Sequence, residues 1–252
     1  MCRGPCQPQV LNLVDSFWDR LLGWVLPPRC VLCGRPGQPP CHDLCMACEA
    51  DLPAPPGSGL GGEASLLDVA GPTGCDRSFA VCSYAPPIDT LIQALKYGGQ
   101  LAIGRVLGQL LARGAADLGL HLDVDCVLPV PLHPPRYAER GFNQSGEIAY
   151  FAARGLRLRF EPRLAVRCRE TRPQVGLPPA DRHTNVHDAF AAAPGRVRGR
   201  RIVIVDDVIT TGSTVAALAR ALRQAGAVSI EVWCVARATL DSAAHDSRTT
   251  LN

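Results

Sequence analysis

The chain has 252 residues, 47% of them hydrophobic and 19% charged, enough apolar material for one large domain or two modest ones. A net charge of +3 gives no bulk electrostatic case for nucleic acid, and no 18-residue apolar stretch is present for a membrane span. No basic segment feeding an apolar run opens the chain, so the twelve cysteines are read as reduced thiols of a cytoplasmic protein.

The first expected element is an amphipathic helix inside an N-terminal piece, 1–29. Residues 10–26, VLNLVDSFWDRLLGWVL, place Val10, Val14, Phe17, Trp18, Leu21 and Val25 at helical spacing, and Pro27 and Pro28 end the pattern. The polar face is as acidic as it is basic. Packing on a neighbouring domain is therefore expected over membrane contact.

A small module, 30–56, follows. Cys30 and Cys33 form one CxxC, and Cys45 and Cys48 a second, with eleven residues between. Four thiolates at that spacing fit a tetrahedral zinc site, and so few large apolar residues accompany them that the piece needs metal to fold. Cys41 and His42 are competing ligands. A dithiol redox site is disfavoured, because no βαβ pattern surrounds either pair. Such a ribbon can be structural, or bind nucleic acid or protein.

From Pro53 to Gly74 the chain is rich in Pro, Gly, Ala and Ser, and 57–76 reads as a linker. Cys75 and Cys82 have no CxxC partners and are read as ordinary cysteines. An α/β domain is expected over 77–240, then a mobile polar tail, 241–252. FAVCSYA near Phe79 is a strand. IDTLIQALKY, 88–97, is a helix with Ile88, Leu91, Ile92 and Leu95 on one face, closed by Gly98 and Gly99. Lys96, at its end, can reach a pyrophosphate or serve only the helix dipole. A second helix covers 101–118. CVLPVP, 126–131, is a buried strand opening into the loop PLHPPRYAERGFNQ, and helix resumes after Asn143, an N-cap residue. Arg136, Arg140 and Asn143 fall on that loop, at the carboxyl end of the strand. Arg140 is the first candidate for a pyrophosphate contact, since its planar fork matches phosphate oxygens.

Charge is uneven here. Between Pro131 and Arg172 there are nine Arg against four Glu, and Arg196, Arg198, Arg200 and Arg201 follow. A basic face of this kind suits a polyanion, either pyrophosphate or a nucleic-acid backbone, or is a solvated rim. The segment 163–193 has little periodicity and reads as a long polar loop. The last strand spans 230–236.

The strongest motif is RIVIVDDVITTGST, 201–214. Ile202 to Val205 is a central parallel strand, and helical spacing resumes at Val215, Leu218, Ala219 and Leu222 until Gly226. Between them lie Asp206, Asp207, Val208 and Ile209, then Thr210, Thr211, Gly212, Ser213 and Thr214. A strand-to-helix turn with hydroxyls and a glycine aims backbone N–H groups and the positive helix end outward, which binds a phosphate monoester. Carboxylates beside it accept hydrogen bonds from sugar hydroxyls or hold Mg²⁺ through water. Neither GxxxxGK[ST] nor GxGxxG is present in the segment. The alternative is a plain polar turn with two solvated aspartates.

VIVDDVITTGST resembles the signature of type I phosphoribosyltransferases. Together with LPPRCVLCG, the second CxxC, LIQALKYGG, PVPLHPPRYAERGFNQ and TRPQVGL…RHTNVHDAF, it resembles the ComF/GntX family of phosphoribosyltransferase-like proteins over nearly the whole chain. The resemblance implies a parallel α/β sheet with flanking helices preceded by a small zinc ribbon, and a link to DNA uptake in natural competence. It implies phosphoribosyl pyrophosphate and Mg²⁺ as ligands. Asp206 and Asp207 would take the ribose hydroxyls, Thr210 to Thr214 the 5-phosphate, and Arg140 and Lys96 the pyrophosphate; residues 205–214 together form the phosphoribosyl pyrophosphate stretch, with Asp206, Asp207 and Arg140 the catalytic candidates. Two classes of function stay open at this point. One is a transferase acting on a base or amine. The other is a non-catalytic adaptor touching single-stranded DNA or a competence motor protein.

Overall fold

The computed structural model describes residues 29–37, 43–55, 65–67, 74–168 and 189–238. The expected helix of 10–26, the competing ligands Cys41 and His42, the middle of the long polar loop and the tail lie outside the described residues. The chain divides into two compact units, 1–50 and 51–252. In the first, Arg29 bridges Pro36 and a short helix, α1, runs Met46–Ala50.

The second unit, in chain order, is β1 Ser65–Leu67, β2 Arg77–Ser83, α2 Ile88–Gly98, α3 Leu101–Asp117, β3 Cys126–Pro129, α4 Pro134–Arg140, α5 Gln144–Leu156, β4 Arg159–Phe160, β5 Ala165–Arg167, β6 Phe190–Ala192, α6 Pro194–Val197, β7 Arg201–Ile209, α7 Ser213–Gln224 and β8 Ser229–Arg237. The main sheet has the order β1-β2-β8-β7-β3-β4. All its pairings are parallel except β1 with β2. β5 and β6 pair antiparallel as a separate ribbon. This is the parallel α/β sheet with flanking helices that the sequence predicts. No helix among the described residues is long and apolar enough to cross a membrane.

β7 sits between β3 and β8, so its apolar run is covered on both faces and along both edges. Ile202, Val203, Ile204 and Val205 are all at most 1% exposed. Val215, Leu218, Ala219 and Leu222 of α7 join Ile202, Ile204, Ile230 and Val232 in one core cluster. α3 and α5 approach so closely that a Cβ on Gly108 would stand 2.6 Å from the Ile148 carbonyl oxygen. Trp233 is fully buried in β8, and its Nε1 donates to Glu231 Oε2 at 3.2 Å on the same face of the strand. Glu231 is in turn paired with Arg77, directly across in β2.

Three local features differ from expectation. Residues 134–140, expected as loop, wind into α4, because prolines at its first positions need no N–H partner and Gly141, at φ +81°, closes it. The ends of the long polar loop pair as the β5–β6 ribbon. Ser65–Leu67, inside the Pro/Gly-rich stretch, extends the sheet beside β2.

Candidate functional site

β7 carries its two acids toward its carboxyl end, where β3 has already ended on one side and β8 continues on the other. Asp207 is 4% exposed, and its carboxylate forms an ion pair with Lys96 Nζ from the last turn of α2. Asp206 Oδ1 accepts from Ser145 Oγ at 2.9 Å and from the Asp207 backbone N–H at 3.0 Å. Burial and the adjacent Asp207 carboxylate push the Asp206 acid up to about 8, against the opposing Ser145 bond and the Lys96 charge. Burial pulls the Lys96 ammonium down, but the Asp207 carboxylate outweighs it and holds it above the ordinary lysine value. The pair of acids therefore shares one internal cation and retains a proton near neutrality.

The neighbouring helix supplies the rest of this edge. Asn143 caps α5 as expected: its Oδ1 accepts from Ser145 N at 3.1 Å and its Nδ2 donates to Val130 O at 3.0 Å. That cap fixes the first turn and so aims Ser145 at Asp206. Gln144, only 8% exposed, accepts from Arg140 Nη1 through its Oε1. The Arg140 guanidinium also lies over the exposed Tyr97 ring, 5.5 Å from its centroid. Lys96 and Ser145 thus touch the acids, and Arg140 links their chain neighbours Tyr97 and Gln144. The sequence reading named Lys96 and Arg140 but missed Ser145, Gln144 and Tyr97. A serine in the first turn after an N-cap, on a loop at the same sheet edge, was the available signal for Ser145.

Past Ile209 the chain turns into α7. Thr210 and Thr211 are exposed, and Gly212 has φ +72°, a conformation that glycine adopts without strain. Thr211 Oγ1 and Ser213 Oγ lie 3.1 Å apart. The first-turn N–H groups of a helix have no acceptor inside the helix, so this turn gathers open amides beside its hydroxyls, the arrangement that can accept an oxyanion. Val205, Val208 and Ile209 position the turn through the sheet rather than by polar groups.

In the first unit, Gly34, at φ +72°, lets its N–H donate to Cys30 O at 2.8 Å, and Cys30 N donates to Arg35 O at 2.8 Å, making the first CxxC a tight knuckle. The second CxxC spans the start of α1. The Sγ atoms of Cys30, Cys33, Cys45 and Cys48 all lie within 4.8 Å of one another, and Cys33 and Cys45 Sγ are 3.6 Å apart. Zinc–thiolate bonds of about 2.3 Å set tetrahedral sulfurs about 3.8 Å apart, so the four fit that ion. Arg35, whose Nε lies 3.4 Å from Cys33 Sγ, pulls that thiol down to about 6, while contact with Cys33 pushes Cys48 up to about 12. Four thiols this close cannot all ionise without a cation among them.

A phosphoribosyl transferase domain model matches residues 159–249. The chain is 35% identical to the DNA utilization protein YhgH of Escherichia coli O6:H1 over 224 residues, covering 84% of this chain and 98% of that protein. It is 34% identical to competence protein F of Haemophilus influenzae over 168 residues, covering 65% and 73%. Among solved structures, it aligns with the Bacillus subtilis glutamine phosphoribosylpyrophosphate amidotransferase at 27% identity and a TM-score of 0.37. That alignment covers 52% of this chain and spans a quarter (25%) of the length of the other.

Proposed function

The chain belongs to the family of the DNA utilization protein YhgH and competence protein F, and from that premise we propose that it binds phosphoribosyl pyrophosphate with Mg²⁺ in the handling of DNA taken up by the cell. The observation that carries this reading is the acid pair at the end of β7, met by Lys96 and Ser145 and followed directly by the hydroxyl-rich turn into α7.

Asp206 and Asp207 hydrogen-bond the ribose hydroxyls. The Thr210 to Thr214 turn grips the 5-phosphate with amides and hydroxyls. Arg140 sits at the rim, where its fork reaches the pyrophosphate. The carboxylates also fit Mg²⁺, since Asp207 already holds the cation of Lys96. Mg²⁺ bound there would neutralise charge on the pyrophosphate. If an acceptor attacks carbon 1 of the ribose, this chain's part is to orient the ring and stabilise charge on the leaving group.

The test is thermal. Phosphoribosyl pyrophosphate plus Mg²⁺ raises the melting temperature of the wild type, and Asp206→Asn with Asp207→Asn removes the shift. A shift that survives in the double variant refutes the ribose assignment. Release of pyrophosphate over a panel of bases and amines then separates a transferase from a binding protein.

A further inference from the structure

Of the 26 lysines and arginines in the chain, 25 are Arg, and Lys96 is the one Lys. It stands on the buried acid pair. Ile88, Leu91, Ile92 and Leu95 of α2 are at most 3% exposed and bury the apolar face of that helix. Lys96, next in the chain, turns in to Asp207, and its side chain keeps 23% of its surface open. Asp207 Oδ2, the oxygen it meets, accepts no other hydrogen bond among the described residues. Burial disfavours the ammonium, and attraction first to Asp207 and then to Asp206 more than restores it.

A buried ion pair adds little net stability, because lost hydration offsets the attraction. Apolar side chains would join α2 to β7 as well. The choice of Lys over Arg points elsewhere. A guanidinium fork grips a carboxylate through two bonds, whereas an ammonium is a point charge on a flexible four-carbon stem and is more easily drawn away. The position it fills is also the one a divalent cation takes on Asp207, and the two cannot share Oδ2. The surroundings offer the ammonium a second place. Gly99, at φ +62°, ends the helix with nothing within 4 Å of where a Cβ would stand. Tyr97 is 80% exposed, and the Arg140 guanidinium lies 5.5 Å from its ring centroid. The lysine stem therefore runs between an interior carboxylate and a rim where Arg140 already stands, and an anion held by Arg140 gives the ammonium a new partner.

We propose that Lys96 is the resting counter-ion of the acid pair: it occupies Asp207 while the site is empty, keeps free divalent metal off the acids, and moves to the pyrophosphate when sugar ligand and metal arrive together. The inference deepens the function proposed above and rests on it for the identity of the ligand, while the exclusion of free metal is independent of that ligand. One cation replaces another on Asp207, and no covalent bond changes. Metal and ligand then raise each other's affinity by one common factor, and removing the ammonium shrinks that factor.

Electron paramagnetic resonance of the full, zinc-loaded chain with Mn²⁺ alone, standing in for Mg²⁺, tests it. The wild type leaves Mn²⁺ free in solution. Lys96→Met binds it about tenfold more tightly or better, the smallest effect that one charge at contact has on a carboxylate, and adding Asp207→Asn abolishes that binding. Equal Mn²⁺ affinity in wild type and Lys96→Met, whether tight or absent, overturns the proposal, as does binding that survives Asp207→Asn. A second measurement needs no variant. In ¹⁵N-lysine-labelled wild type the single Nζ signal stays in place with Mg²⁺ alone and shifts when phosphoribosyl pyrophosphate and Mg²⁺ are added together. A shift with Mg²⁺ alone overturns the proposal, as does a fixed signal in protein whose melting temperature the ligand has raised. If the ligand raises no melting temperature, the function proposed above falls, and the Mn²⁺ contrast still decides whether Lys96 excludes free metal.

Discussion

Replacing Asp206 by Asn should stabilise the unliganded protein in alkaline solution and leave it unchanged in acid. The native fold carries the Asp206 acid from 3.8 to about 8. Between those values the native state holds a proton that the unfolded chain has released, so stability falls as pH rises through about 4 to 8 and is level above. Linkage sets a ceiling of about 6 kcal/mol for such a displacement. That value already contains the opposing Ser145 bond and Lys96 charge, and Asp206 is only partly buried, which screens the effect. We therefore expect about 4 kcal/mol at pH 8.5, which for a domain of this size is roughly 8–16 °C. Asn keeps a carbonyl oxygen for the Ser145 hydroxyl and never ionises. Calorimetric melting of both proteins from pH 3.5 to pH 8.5, without ligand, should give curves that coincide at the acid end and separate steadily above about pH 4. Two parallel curves would show that Asp206 is ionised throughout, and the account of a proton held by the acid pair would fall.

The remaining predictions concern the scaffold. Stripping metal with a chelator should unfold the unit of residues 1–50 while the sheet keeps its far-UV dichroism, and a colorimetric zinc assay should return about one ion per chain, because four thiolates complete one tetrahedron. Cys33→Ser should halt zinc retention; retention undiminished would exclude Cys33 as a ligand. Gly108→Val should destabilise by about 3 kcal/mol or more in urea, since a Cβ there meets backbone of α5 that cannot move aside. An unchanged midpoint would mean that α3 and α5 pack less tightly than 2.6 Å implies.

The resemblance to relatives of known sequence made the family legible from motifs alone, and the elements followed from simple patterns. Ile202 to Val205 announced a central strand because four β-branched residues in a row suit only a position covered on both faces. The α5 start was legible because Asn143 has one good use before a helix. By contrast, α4 was hidden by its prolines, which read as loop unless they fall in the first turn. β1, β4, β5 and β6 are two or three residues long. Elements that short carry no periodicity, and they form only because a neighbouring strand offers them hydrogen bonds.

The site divides the same way. The acids, the hydroxyl turn and the CxxC pairs lie within single stretches of chain, so local spacing alone determined which residues could act together. Lys96 on Asp207 and Ser145 on Asp206 join segments about 110 and 61 residues apart, and no local pattern encodes which cation or hydroxyl a buried carboxylate will meet. The sheet order decides that, by bringing the ends of α2 and α5 to the edge where β7 runs out. Burial in that assembled setting, with the Asp207 carboxylate beside it, raises the Asp206 acid, because a charge loses its water only when the rest of the fold closes over it.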